Sequence, residues 1–230
     1  MLILSIDTST VAASVAVMDE NKLHGMYYTN YKLKHSEKLL PLVDGLLKEI
    51  NMSLSDMDAF AVTTGPGSFT GLRIGAATIK GYAYALNSPI IPISTLEALS
   101  YSQPNFDGII VPILDAQRNQ VYTAEFVNEG DVPVRISEDR AVALEELCRE
   151  LMAKLDGNKK AMFLGDGVYK FREEIVSVMG EKATFADMVT MLPNAAYAAK
   201  AALASGKRES AYSLELNYIR KAQAEENLKK

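Results

Sequence analysis

The chain has 230 residues, 48% apolar and 23% charged, which supplies a sizeable core and excludes disorder as a description of the whole. Its 24 basic and 29 acidic residues give a formal charge of −5 with no basic cluster outside a short tail, which argues against a protein that grips a phosphate backbone by its own charge. One cysteine excludes an intramolecular disulfide framework, and an N-terminal apolar run cut short by Asp7 without a basic region argues against a secretory signal. The longest charge-free stretch, Gly81 to Leu96, contains Pro89 and Pro92 and cannot span a membrane, so a cytoplasmic protein is expected.

Leu2 to Ile6 reads as an apolar strand ending in Asp7-Thr8-Ser9-Thr10. Val11 to Met18 is a second strand, Asp19-Glu20-Asn21 a turn, and Leu23 to Thr29 a third strand. Apolar residues at Leu39, Val43, Leu46 and Ile50 predict a helix over Glu37 to Ile50, capped by Ser36, with Pro41 acceptable only near its start. Ala59 to Thr64 is a buried strand, Gly65-Pro66-Gly67 a turn, and Thr70 to Leu86 a helix. The order then returns. Ile109 to Leu114 is a strand ending in Asp115, Val121 to Val127 a second strand, and Val132 to Ile136 a third. Helix Leu144 to Leu155, strand Ala161 to Leu164, Gly165-Asp166-Gly167 and helix Val168 to Met179 follow.

Asp115 follows Asp7 by 108 positions and Gly165 follows Gly65 by 100, so the two halves share one plan. Antiparallel strands plus a parallel one, covered by helices, make a self-sufficient layer. Two such layers face to face enclose a cleft into which Asp7 and Asp115 would look. This is the plan of a duplicated actin-like ATPase fold, an α/β fold of the ribonuclease H-like (ASKHA) kind. Its expected subdomains are 1–103 and 104–220, followed by a frayed polar tail at 221–230. The last third adds a helix, Asn194 to Ala204, ended by Gly206, and an alternating segment, Leu214 to Tyr218, that reads as a short strand.

Thr63 to Gly75 is the most unusual stretch. Gly65 and Gly67 suit a tight strand-to-helix turn whose amides could bind an anion. No Gly-Lys-Ser/Thr follows, so a phosphate-binding P-loop is excluded, and a structural turn is the simpler reading. The following helix tolerates several glycines, each costing about 1 kcal/mol against alanine, which implies close approach of another backbone. Ala77, Gly81 and Ala85 share a face; the neighbour is either the protein's own sheet or a partner helix. Glu37 to Ile50 is apolar over two stripes, so a second surface of it is covered, by a partner or by the other half of the chain. Asp7 and Asp115 either hold Mg–nucleotide or cap turns, and the turn reading is preferred. Cys148 reads as a buried filler, and Ser9, Ser36 and Ser68 have no identifiable histidine–acid pair.

Ile6-Asp-Thr-Ser-Thr10, His35-Ser-Glu-Lys-Leu-Leu-Pro41, Gly65-Pro-Gly-Ser-Phe-Thr-Gly-Leu-Arg-Ile-Gly75, Asp115-Ala-Gln-Arg118 with Val121-Tyr122, Gly165-Asp-Gly167 and Tyr218-Ile-Arg220 together resemble the bacterial TsaB (YeaZ) family. Asn217 departs from the Pro or Val more frequent there. The resemblance implies an actin-like fold and a role in forming N6-threonylcarbamoyladenosine at position 37 of tRNAs that read codons beginning with A. It implies a non-catalytic subunit that binds and activates the metal-dependent paralogue TsaD, joined by the small ATPase TsaE. It further implies a homodimer when alone, tRNA contact only through the complex, and no cofactor beyond a weak or vestigial ATP/Mg site at Asp7, Thr8 and Asp115. The docking surface would lie on the two N-terminal helices, at Leu39, Leu42, Val43, Leu46, Ile74, Ala77 and Gly81. The paralogue's two metal histidines would fall at Thr95 and Leu99, which are poor or impossible ligands, so no metal site and no metalloprotease is expected. The alternative is an ATP-dependent small-molecule phosphotransferase using Asp7 and Asp115.

Overall fold

The computed structural model describes residues 1–31 and 34–220. Strands β1 (Ile3–Asp7), β2 (Ala13–Met18), β3 (Leu23–Thr29), β4 (Ala59–Gly65) and β5 (Ile90–Ser94) form one sheet in the order β3-β2-β1-β4-β5. β1 is central, antiparallel to β2 and parallel to β4. Its alternate residues enter different cores. Leu4 and Ile6 meet helices α1 (His35–Glu49) and α2 (Phe69–Leu86), whereas Ile3 packs on the opposite side with the C-terminal helix. Both strands are buried at every position, which is why β1 and β4 are largely apolar on both faces, with Ser5, Asp7, Thr63 and Thr64 as buried polar exceptions.

The first helix departs from expectation at its start. α1 begins at His35 with Lys34 at the N-cap position and no side-chain cap, so Ser36 is an exposed first-turn residue, and Pro41 lies inside the helix. Burial of Leu39, Val43, Leu46 and Leu47 against the sheet holds the element despite its poor end chemistry.

The second lobe contains β6 (Gly108–Asp115), β7 (Gln120–Thr123), β8 (Phe126–Glu129), β9 (Val132–Arg135), β10 (Arg140–Ala143), β11 (Lys160–Leu164) and β12 (Ala183–Phe185). Their main order, β10-β7-β6-β11-β12, repeats that of the first sheet. The expected strand Val121 to Val127 is in fact two strands, and Val132 to Ile136 supplies a hairpin arm on β8, so the third strand of the repeat is β10. Glu125 explains the break. In unbroken alternation it would share the core-facing side of Val121 and Thr123. The chain leaves the ladder there, and the fully buried carboxylate meets the Lys154 ammonium at 2.7 Å and Arg140 at 3.6 Å. Helices α4 (Leu144–Lys154) and α5 (Gly167–Met179) cover this sheet.

Two elements carry the chain between the lobes. Short α3 (Thr95–Ser100) places Ala98 in the outer core of the first lobe and Leu96 and Leu99 in the core of the second. Helix α6 (Ala195–Ser205), capped by Asn194 and ended by Gly206, returns to the first sheet instead of staying in the second subdomain. Its small residues Ala198, Ala201 and Ala202 permit close packing, while Ser5 donates to the Ala195 carbonyl at 2.6 Å and Ser14 accepts from the Ala195 N–H at 2.8 Å. By contact, the chain from Ala195 to Tyr218 therefore belongs largely to the first lobe, not to a 104–220 unit. Leu214 to Tyr218 forms no strand; its alternation reflects Leu214 buried and Glu215 exposed as the segment lies on the first lobe. The expected frayed tail at 221–230 lies outside the described residues. No helix among the described residues is long and apolar enough to cross a membrane.

Candidate functional site

The loops that end the central strands of both lobes border a cleft of about 770 Å³. Its walls are the loop after β1 (Ser9 to Val11), the turn before α2 (Pro66 to Phe69), the β6–β7 tip (Asp115 to Arg118), Asp166 and residues Asn217 to Arg220. The α2 turn is pressed onto the β1 loop. Ser68 N–H donates to the Ser9 carbonyl at 2.7 Å, Thr8 Oγ1 donates to the Gly71 carbonyl at 2.8 Å, and the Ser68 hydroxyl caps the Gly71 N–H at 3.3 Å. A Cβ on Gly71 would overlap the Thr8 carbonyl oxygen, and one on Gly75 would crowd Thr8 Oγ1. The chain itself thus accounts for two of the three helical glycines. Gly81 is different: nothing lies within 4 Å of where its Cβ would be.

Asp7 does not line the cleft. It is fully buried and accepts from the Ser9 N–H at 3.3 Å and the Ser9 hydroxyl at 3.1 Å, the geometry of a turn cap. Burial pushes its carboxyl up to about 6 despite the Ser9 donors. Thr8 is buried with its hydroxyl committed to Gly71. Asp115 does reach the cleft. It accepts from the Gln117 N–H at 2.8 Å and pairs with Lys170 at 3.1 Å. Its own N–H donates to Asp166 at 3.1 Å, whose carboxyl is held above the ordinary range by burial and, to a lesser degree, by the Asp115 charge. A Mg–nucleotide needs ionised oxygens free to face it. Here one acid is sealed below the cleft, one is tied to a lysine and one is committed to the Asp115 N–H. These residues do not fit that group, and no step through it is derived. Among the described residues no cluster of three or more His, Cys, Asp or Glu could hold a metal ion; Thr95 and Leu99 are both buried.

Arg118 and Arg220, which the sequence offers as polar-network residues without a derivable role, line the cleft together with His35. His35 Nε2 lies 3.0 Å from the Thr10 carbonyl, and Arg220 donates to the Ala116 carbonyl at 2.6 Å. Gln117, Arg118 and Asn119 are all left-handed, a strained tip that brings Arg118 to the cleft wall. Lys170 carried no sequence signal, because its role depends on α5 lying beside Asp115.

The seven residues expected on a docking surface divide by burial. Leu39, Val43 and Leu46 face the chain's own sheet and are buried, which removes them from any exposed surface: the apolar breadth of α1 serves the core first. Leu42 and Ile74 are partly buried against that core. Ala77 and Gly81 are exposed, with Ala85 on the same face of α2 and Tyr84 beside them at 67% exposure.

Two lobes of matching strand order around a central cleft define an α/β protein of the actin-like class. The ROK hexokinase of Thermus thermophilus shares that fold, with a TM-score of 0.50 at 12% identity over 90% of this chain and 100% of that one. A family model described as TsaD, tRNA N6-adenosine threonylcarbamoyltransferase, matches residues 12–228. YeaZ from Pseudomonas aeruginosa superposes with a TM-score of 0.79 at 26% identity, covering 94% of this chain and 99% of that one. The tRNA threonylcarbamoyladenosine biosynthesis protein TsaB of Bacillus subtilis (strain 168) is 33% identical over 227 residues, 98% of this chain and 96% of its own length. The chain belongs to the TsaB (YeaZ) family.

Proposed function

We propose that this chain is a non-catalytic subunit that binds and activates TsaD in forming N6-threonylcarbamoyladenosine at position 37 of tRNAs reading codons that begin with A. TsaE joins the pair, tRNA is reached only through the complex, and the free chain pairs with a second copy through the same helices. The work is done in the cytoplasm. The observation that carries the reading is the outer face of α2. Ala77, Gly81 and Ala85 form an exposed strip of small residues, and Gly81 sits mid-helix with open space above it. That glycine costs about 1 kcal/mol of helix stability with no return inside the chain; a partner backbone seated on the strip supplies one.

The phosphotransferase reading needs Asp7 and Asp115 together at a ligand. Burial of the first and the lysine partner of the second weigh against it. Co-purification of Ala77→Glu with TsaD tests the docking reading. Loss of the complex with an unchanged unfolding curve is expected, because the charge would be sealed into a contact without a partner. Undiminished affinity would sink the assignment of this face. Leu46→Glu is not a usable probe, since Leu46 belongs to the core.

A further inference from the structure

After α6 the backbone pairs with the edge of the first sheet, Ile90 and Glu209 exchanging N–H···O bonds of 2.8 and 2.7 Å, and Leu214 is buried in the first lobe's core. Residues 217–220 then run along the cleft and touch both of its sides. Towards the first lobe, the Asn217 N–H donates to the Thr64 carbonyl at 2.8 Å. The Tyr218 ring lies 4.9 Å from that of Phe69, and its hydroxyl accepts from Arg73 Nε at 3.1 Å. Towards the second lobe, Asn217 Nδ2 donates to Asp139 at 3.3 Å and Arg220 to the Ala116 carbonyl at 2.6 Å. Asp139 is itself a junction: it also accepts from the Ser94 hydroxyl at 2.7 Å, across the lobes.

Gly65 makes room for this segment. Its φ is +119°, and a Cβ there would lie 2.6 Å from the Asn217 carbonyl oxygen. The glycine turn whose shape suggests an anion cradle is approached by the chain's own backbone carbonyl. Asn217, where the family resemblance weakens, supplies the side-chain bond to the second lobe.

We propose that residues 214–220 are an intramolecular strap that pins the two lobes at a fixed angle across the cleft. Two-lobed proteins that take ligands between their lobes ordinarily close by hinge motion. The strap removes that freedom here, independently of whether α2 docks a partner.

The test uses the full chain carrying spin labels at Lys38→Cys on α1 and Glu173→Cys on α5, both exposed positions on different lobes, diluted into an excess of unlabelled chain so that only distances within one copy are read. The native Cys148 is buried, its thiol pushed up to about 11 by burial, and stays unlabelled. Pulsed dipolar spectroscopy on the parent is expected to give one narrow distance distribution. The Asn217→Ala/Arg220→Ala variant is expected to broaden it. Amide exchange in segments 64–69 and 115–120 is expected to rise about tenfold with the core's protection intact. Arg220→Ala alone, which removes one bond, guards against misfolding and is expected to broaden the distribution less. Unchanged distances and exchange in both variants overturn the strap, as does a uniform loss of protection over both sheets.

Discussion

Asp7→Asn separates a buried turn cap from a ligand-holding acid. The parent carboxyl, ordinarily near 3.8, is pushed up to about 6 by complete burial. The folded chain therefore holds this proton more tightly than the unfolded one. Asp7 is harmless at low pH and erodes stability as pH rises from about 4 through 6. At 1.36 kcal/mol for each tenfold change in proton affinity, the ionised form costs the folded state about 1 kcal/mol at about pH 4.5 and about 3 kcal/mol at about pH 7.5. Asparagine keeps an acceptor for the Ser9 donors and cannot ionise. Urea unfolding at the two pH values gives the comparison, and the variant is expected to gain about 2 kcal/mol on the parent between them. Parallel behaviour of parent and variant across that range would mean an ionised, solvated Asp7, and the burial argument against a catalytic acid would fail with it.

Gly81→Ala is expected to raise the stability of the isolated chain by about 1 kcal/mol, read as a higher Tm, and to weaken TsaD binding. Gly71→Ala is expected to do the opposite to the fold, costing several kcal/mol, on the order of a core overpacking, because its methyl meets the Thr8 carbonyl. Lys154→Ala leaves the buried Glu125 with only the more distant Arg140; a loss of about 2 kcal/mol in chemical unfolding is expected, smaller than for a fully buried pair because Lys154 is 45% exposed. Calorimetry with Mg–ATP is expected to show no micromolar binding to the isolated chain; tight binding abolished by Asp115→Ala would restore the phosphotransferase reading.

Much of this architecture is legible in the chain. The largely apolar strands β1 and β4 and the small residues around Gly71 and Gly75 report local packing, so they survive translation into structure. The boundary of the second lobe does not. α6 is an alanine helix with no sequence mark of which sheet it covers, and the bonds that tie its start to the first sheet come from Ser5 and Ser14, about 190 and 180 positions away. The break at Glu125 is similar, since its cations come from β10 and α4. On the candidate surfaces, periodicity marks Ala77 and Gly81 as one face but does not tell an outward apolar stripe from an inward one, and the docking role that the resemblance implies for Leu39, Val43 and Leu46 falls on residues buried in the chain's own core. Asp7 and Asp115 look equivalent in the repeat; Lys170 and the depth of the β1 loop make them different.

The most direct measurement reconstitutes tRNA modification from purified TsaD, TsaE, tRNA and threonylcarbamoyl-adenylate, with and without this chain. Modification is expected to depend on adding the chain, to fail with Ala77→Glu, and to be indifferent to Asp7→Asn. An unchanged rate when the chain is omitted, or chemistry performed by the chain on its own, contradicts a subunit that acts by docking.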